Sequence, residues 1–411
     1  MSPSTLLIST LDTKADETIY LQKQMEAGGA QVQIMDLSMG APPKIRAEIP
    51  PDEVARAADW DIEDIRKSRE RSKITAAITL GASRIALRML EEQKLDAVVG
   101  LGGSTGSLMA TDVMRSLPFG VPKLMVSSTA ALPGLATRYI DTGDLILFHS
   151  VVEIAGLSPL LKSVLDRAAA AACALASVST LTPEKARGQG RPLVAMSMFG
   201  PCEGCAQKVK SLLEAAGFDV IGYSAAGVCD RAMEDMISQG YFCGVVDLAP
   251  GGVGEYIMAG MRSAGPNRLE AAGKLGLPQV IAPSGVNLMS PRKSRYKPGY
   301  ESRRKYDLDK LRTFLRLDPE ELIQVADAFA EKLNRATGPV RFMIPTRGWA
   351  SIDCDGSSVY CPDEDRVFIE ALQEKVKPDV EVVEVNANLE DESFARDVAA
   401  AFIELASDRK E

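Results

Sequence analysis

The 411-residue chain has a single histidine, His149. One imidazole excludes a multi-histidine metal site within the chain, and it leaves a Ser-His-Asp triad only one candidate. General acid-base work therefore falls to Asp, Glu, Lys or Cys. A disulfide framework is missing too. The seven cysteines are odd in number and scattered from Cys173 to Cys361. No excess of basic residues is present: 47 Lys and Arg stand against 56 Asp and Glu, a net charge of −9. That balance argues against a general nucleic-acid surface. No apolar run approaches the roughly 18 residues of a membrane span. Met1-Ser2-Pro3-Ser4 opens no basic, then apolar, leader. A cytoplasmic protein is expected, with no membrane partner.

What is present reads as an ordinary globular chain, 46% apolar and long enough for two or three domains. Short apolar runs alternate with helical patterns in both halves. Strands are predicted at Leu6–Thr10, 32–35, 97–100, 123–126 and 145–148, then at 193–198, 219–223, 244–248, 279–282, 340–344 and 380–385. Such alternation means mostly parallel sheets covered by helices. The fold class is α/β, with two open, Rossmann-like domains facing a cleft. The domains are expected at 1–178 and 193–411, with 179–192 as linker, since Thr180 to Pro192 carries no apolar period. Residues 38–71, with Pro42-Pro43 and Pro50-Pro51, read as an insert with a short helix. The alanine-rich 160–177 segment reads as a tightly buried helix at a seam.

The most informative motif is Val99-Gly100-Leu101-Gly102-Gly103-Ser104-Thr105-Gly106-Ser107, a strand, a glycine loop and a helix start. Glycines let a ligand approach the backbone, and free N–H groups at a helix start favour an anion. No Lys-Ser or Lys-Thr pair follows, so this is not a Walker loop, and Gly106 falls one position late for G-x-G-x-x-G. Phosphate or carboxylate binding by Gly102, Gly103, Ser104, Thr105, Gly106 and Ser107 is the functional reading; an empty β–α turn is the other. Asp12, Thr13 and Lys14 follow the first strand. Lys14 would neutralise phosphate and Asp12 would hold Mg²⁺ through water, or Asp12 and Thr13 would cap the next helix. Ser127, Ser128 and Thr129 would line the same site or form a hydroxyl-rich turn. Asp141, Thr142, Gly143 and Asp144 would reach a ribose or adenine, or make a plain turn.

In the second half, Asp247 ends a strand and Glu255 opens a helix after Pro250-Gly251-Gly252. Carboxylates there suit acid-base or Mg²⁺ work, or helix capping. Cys202-Glu203-Gly204-Cys205 sits at a helix start, where either a lowered thiol pKa or anion binding is conceivable. Arg231 and Glu234 are spaced to pair on one helix. Seven basic residues between Arg292 and Lys305, interleaved with tyrosines, read as a solvated arm, as a lid over an anionic substrate, or as an RNA contact that the acidic whole disfavours.

Leu11-Asp12-Thr13-Lys14, the glycine loop, Arg115 to Lys123 and Asp141 to Phe148 resemble the Tm-1-like ATP-binding domain. Met198-Phe199-Gly200, Arg231 to Glu234, Ser263 to Gly273 and Glu331 to Val340 resemble the second half of the UPF0261 group. The resemblance covers nearly the whole chain. It implies an N-terminal domain that binds ATP, and self-association as a homodimer or higher homo-oligomer; it implies no settled reaction. Where the family tends to carry His-Asn, this chain has Tyr306-Asp307, so no histidine chemistry carries over. Two functions follow as expectations. One is an enzyme acting on a small anionic metabolite, with ATP as cofactor, possible Mg²⁺, and Asp247 and Glu255 as acid-base residues. The other is a non-catalytic sensor in which nucleotide stabilises the dimer.

Overall fold

The structure, a computed structural model, describes residues 2–407 except 41, 43, 44, 179, 189 and 311. The chain forms two compact units, Met1–Thr182 and Pro183–Glu411. In the first, β1 (Ser4–Ser9), β2 (Gln31–Asp36), β3 (Ala97–Gly102), β4 (Lys123–Ser127) and β5 (Ile146–His149) form a parallel sheet ordered β2-β1-β3-β4-β5. Continuous apolar runs suit strands buried on both faces. Alternate residues feed two cores. Leu6, Ile8 and Val98 pack with Ile78, Ile85, Met109 and Val113, while Leu7, Val99 and Leu101 pack with Leu21, Met25, Leu161 and Leu165. Gly100 is required by close approach, because a Cβ there would lie 2.4 Å from Met125 Sδ and 3.1 Å from Ala110 Cβ.

The second unit holds a parallel sheet of β6 (Leu193–Met198), β7 (Asp219–Ser224), β8 (Gly244–Asp247), β9 (Gln279–Ile281), β13 (Val340–Pro345) and β14 (Val380–Val385), ordered β14-β13-β9-β8-β6-β7. A small antiparallel sheet, β10 (Leu288–Met289), β12 (Thr313–Arg316) and β11 (Lys305–Asp307), is inserted between β9 and β13. In both parallel sheets the first strand lies between the second and the third. The chain thus winds one way and then the other, and the crevice opens at the carboxyl ends of β1 and β3 and of β6 and β8.

Several expectations change. The 180–192 stretch contains a helix, Pro183–Gly188, whose Ala186 packs beside Met233 and Ile237. The 38–71 insert has two helices, Pro51–Ala57 and Ile62–Lys67, which bury Val54 and Ile65. The alanine-rich helix Pro159–Ala176 buries one stripe only: Asp166, Arg167 and Ala170 on the other face are exposed, with Asp166 accepting from Tyr20 Oη at 2.9 Å. The basic stretch is no free arm. It folds into two 3-10 turns and β11, and Arg303 is clamped by Asp318 at 2.7 Å and Glu321 at 2.5 Å. Among the described residues, no helix is long and apolar enough to cross a membrane.

Candidate functional site

Three of the four predicted N-terminal segments meet at the carboxyl edge of the first sheet. Thr10 to Lys14 leaves β1, Gly102 to Ser107 leaves β3, and Ser127 to Thr129 leaves β4. The helix Ser104–Ser116 starts at Gly103, and no side chain caps it. A Cβ on Gly103 would meet nothing nearer than Ser128 Oγ, at 3.9 Å. The first-turn N–H groups therefore open onto free space at the point where the sheet order reverses. Lys14 is half-buried at a kink in the helix Leu11–Ala27, with φ −132°. Among the described residues its ammonium has no hydrogen-bond or ion-pair partner.

The hydroxyls divide into two sets. Ser107 Oγ lies 2.7 Å from Ser127 Oγ, Ser127 Oγ 3.1 Å from Thr129 Oγ1, and Thr129 Oγ1 2.7 Å from Tyr139 Oη. This chain braces the loops from behind. Ser104, Thr105 and Ser128 stay accessible, Ser128 donating to Glu153 Oε1 at 3.2 Å. Asp12 Oδ2 accepts from Gly40 N–H at 3.3 Å, so the carboxylate ties two loops together. Behind it, Asp36 Oδ1 accepts from Leu11 N–H and Ser38 N–H at 2.9 Å each. Burial pushes the Asp36 carboxyl up.

Asp141, Thr142, Gly143 and Asp144 do not join this edge. They precede β5 and lie at the amino ends of the strands, where Asp144 anchors the buried Lys123 at 2.6 Å and accepts from Gly120 N–H at 2.7 Å. The turn is structural. His149 ends β5, exposed, with Nδ1 3.4 Å from Ser127 O.

In the second unit, neither expected catalytic carboxylate is free. Asp247 is buried, accepts from Ser197 Oγ at 2.6 Å, and takes both ends of the Arg268 guanidinium at 2.6 and 2.8 Å. Arg268 also reaches Asp230 at 3.0 Å and Glu234 at 3.2 Å. Glu234 thus pairs with Arg268 rather than with Arg231. It further accepts the N–H groups of Leu269 and Ala271 at 2.6 and 2.8 Å, at the start of the helix Ala271–Lys274. Burial pushes the Asp230 and Glu234 carboxyls up against the pull of Arg268. Glu255 is fully buried and shares Oε1 between Ser290 Oγ at 2.6 Å and Arg262 Nε at 3.0 Å. A proton shuttle needs a carboxylate that can meet substrate; both of these brace arginines instead. A second buried cluster surrounds Arg316, which reaches Asp365 and Glu364 at 2.5 Å each, while Asn287 Nδ2 bridges Asp353 and Asp365 at 2.8 Å each.

The C-x-x-C pair is inert. The anion at the start of the helix Glu203–Ala215 is internal: Glu390 accepts from Gly204 N–H at 3.2 Å and Cys205 N–H at 3.1 Å. Burial pushes the Cys202 thiol up to about 12 and raises Cys205 further, overriding any help from the helix end. A thiol titration of the folded protein should label exposed Cys229 and leave Cys202 and Cys205 untouched until denaturant is added. Early labelling of either would overturn this.

Sequence reasoning missed Arg262, Ser290 and Arg268. Arg268 stood inside a recognised stretch, but nothing local signals that a lone arginine will gather three acids from other elements. Residues 3–180 match the N-terminal domain, and residues 191–406 the C-terminal domain, of the uncharacterised protein family UPF0261. A UPF0261 protein of Clostridium tetani is 33% identical over 407 residues, covering 98% of this chain and 99% of its own. UPF0261 protein mlr3387 of Mesorhizobium japonicum is 28% identical over 405 residues, covering 97% and 98%. The ToMV resistance protein Tm-1(GCR237) of Solanum lycopersicum is 27% identical over 435 residues, covering 98% of this chain and 56% of the tomato protein. With both family domains matched in order along almost its full length, the chain belongs to the UPF0261 family.

Proposed function

We propose that this chain is a cytoplasmic, homodimeric ATP-binding protein that acts on, or responds to, a small anionic metabolite. One observation carries the nucleotide half: an uncapped helix N-terminus at Gly103 where the sheet order reverses, with Lys14, whose ammonium has no partner among the described residues, on the segment that leaves the neighbouring strand β1. Phosphate oxygens would accept from the first-turn N–H groups and from Ser104 and Thr105. Lys14 would neutralise charge. The exposed Asp12 carboxylate would hold Mg²⁺ through water, the manner usual for that ion.

Calorimetric titration with ATP and ADP, with and without Mg²⁺, tests this. Gly103 has φ −82° and open space for a Cβ, so Gly103→Val should fold normally and lose binding. Lys14→Ala should weaken ATP by about 10–100-fold, the worth of a charged hydrogen bond. No ATP binding by folded wild-type protein, or binding unchanged in both variants, would sink the reading. Light scattering during the titration reports the dimer.

The non-catalytic reading has an observation of its own, the capture of Asp247 and Glu255 by Arg268 and Arg262. Under it ATP binds without phosphate release, whatever organic acid is added. Release of phosphate that disappears in Gly103→Val favours the enzyme.

A further inference from the structure

We infer that the second unit carries a binding site for a small organic monocarboxylate, anchored by Arg262. This deepens the metabolite half of the proposed function and stands without the nucleotide half. A cleft of about 620 Å³ opens at the carboxyl ends of β6 and β7, walled on one side by the small antiparallel sheet. Its size lies in the range of roughly 300–1,000 Å³ usual for small-molecule sites. Phe199, Phe314, Met261 and Ile352 make much of its wall apolar.

The ionisable side chains that line it are Arg262 and Arg312, and serine hydroxyls supply further polar lining. Among the described residues that line it there is no carboxylate. Arg312 is held by Asp309, with Nε 2.8 Å and Nη2 2.7 Å from Oδ2, so the cation the cleft offers an acidic ligand is Arg262. Arg262 is built in. Its guanidinium lies over the Phe199 ring at 4.5 Å and the Phe314 ring at 5.0 Å. Nε and Nη2 lie 3.0 and 2.9 Å from Glu255 Oε1. Among the described residues Nη1 has no partner. Two fixed sides and one free edge describe a preorganised anchor.

The support is equally specific. Glu255 is fully buried, and the Oε1 that faces Arg262 also accepts from Ser290 Oγ at 2.6 Å. Its Oε2 lies 1.6 Å from where a Cβ on residue 260 would sit, so only Gly260 leaves room for it. Glu255 neutralises most of the Arg262 charge. The remaining attraction suits one negative charge better than the two of a phosphate monoester, and a planar carboxylate matches the guanidinium edge. An apolar body on the ligand would cover Met261 and Ile352.

The test uses the full chain without nucleotide, so it is independent of ATP binding. Thermal unfolding is recorded with straight-chain, branched and aromatic carboxylates of four to ten carbons, each beside its primary amide, and with phenyl phosphate. The best binder is then titrated calorimetrically. At least one carboxylate should bind, with its amide and phenyl phosphate each weaker by about 10-fold or more. Arg262→Gln should weaken it by about 10–100-fold. Should Arg262→Gln fail to fold, Ala226→Trp decides, because Ala226 is an exposed lining residue and a bulky ring there fills the cleft without entering the core. No carboxylate bound at millimolar concentration, amide or phenyl phosphate bound as tightly, or binding unchanged in Ala226→Trp would overturn the inference.

Discussion

Arg268→Ala should lower the free energy of unfolding of the second unit by about 3–5 kcal/mol, the usual effect of removing one partner from a buried ion pair. Arg268 is fully buried and faces Asp247, Asp230 and Glu234. Its removal strands three carboxylates where water cannot reach them. Each has some backbone or hydroxyl help: Asp230 accepts from Gly227 N–H at 2.7 Å, Glu234 from the 269–271 amides, and Asp247 from Ser197. Among the described residues none has another cation as partner. Asp247→Asn should cost less, because the amide oxygen still accepts and one buried charge is gone. The chain has two tryptophans, Trp60 in the first unit and Trp349 buried in the second. Denaturation of a Trp60→Phe background followed by fluorescence therefore reports the second unit alone. A loss below ~1 kcal/mol for Arg268→Ala would show that the cluster is not the brace argued for here.

The second large effect is a pH dependence centred on Asp365. Burial pushes this carboxyl up to about 7 from an ordinary 3.8, with Asp353 adding to the rise and Arg316 and Asn287 opposing it. Between those values the folded chain holds a proton that the unfolded chain has released. The folded state binds more protons, so stability is full below the unfolded value and is lost as pH rises through the folded one. At 1.36 kcal/mol per unit the window amounts to roughly 4 kcal/mol. Asp365→Asn removes the titration. The difference in unfolding free energy, wild type minus variant, should fall by that amount from pH 4 to pH 8. A difference flat across the range would mean that Asp365 ionises as an ordinary surface acid does.

The contrast between these clusters and the glycine loop explains what could be read from the chain beforehand. Runs such as Ala97 to Gly102 announce buried parallel strands because they are apolar throughout, with no polar alternation. The loop after β3 is local too: glycines, hydroxyls and a helix start within a few residues. Asp247 was legible as a strand-end carboxylate, but its role depends on Arg268, 21 residues on and in no regular element. Glu255 was legible as an acid near a helix start, yet Ser290, 35 residues away, and Arg262 decide what it does. Asp141 to Asp144 failed for a different reason. A turn looks the same at either end of a parallel strand, and only the threading direction puts it on the wrong side. The small antiparallel sheet left no trace, since Lys305-Tyr306-Asp307 is a short, largely exposed and polar strand.

The contact of Glu390 with the helix Glu203–Ala215 also bears on how the molecule is made. The two partners at Cys205 and Glu390 are 185 residues apart. Cys205, Val209 and Leu213 share a core with Phe394, Val398 and Phe402 near the carboxyl terminus. A ribosome adding about 5–20 residues per second needs roughly 10–40 s to span that gap. Through that interval the emerging helix has neither its terminal anion nor its apolar cover, and two thiols that are sealed in the finished protein remain open to oxidants and to other nascent chains. The helix Glu392–Ser407 thus closes this layer, and a chain cut short before it would present both cysteines and a bare apolar stripe to the quality-control machinery.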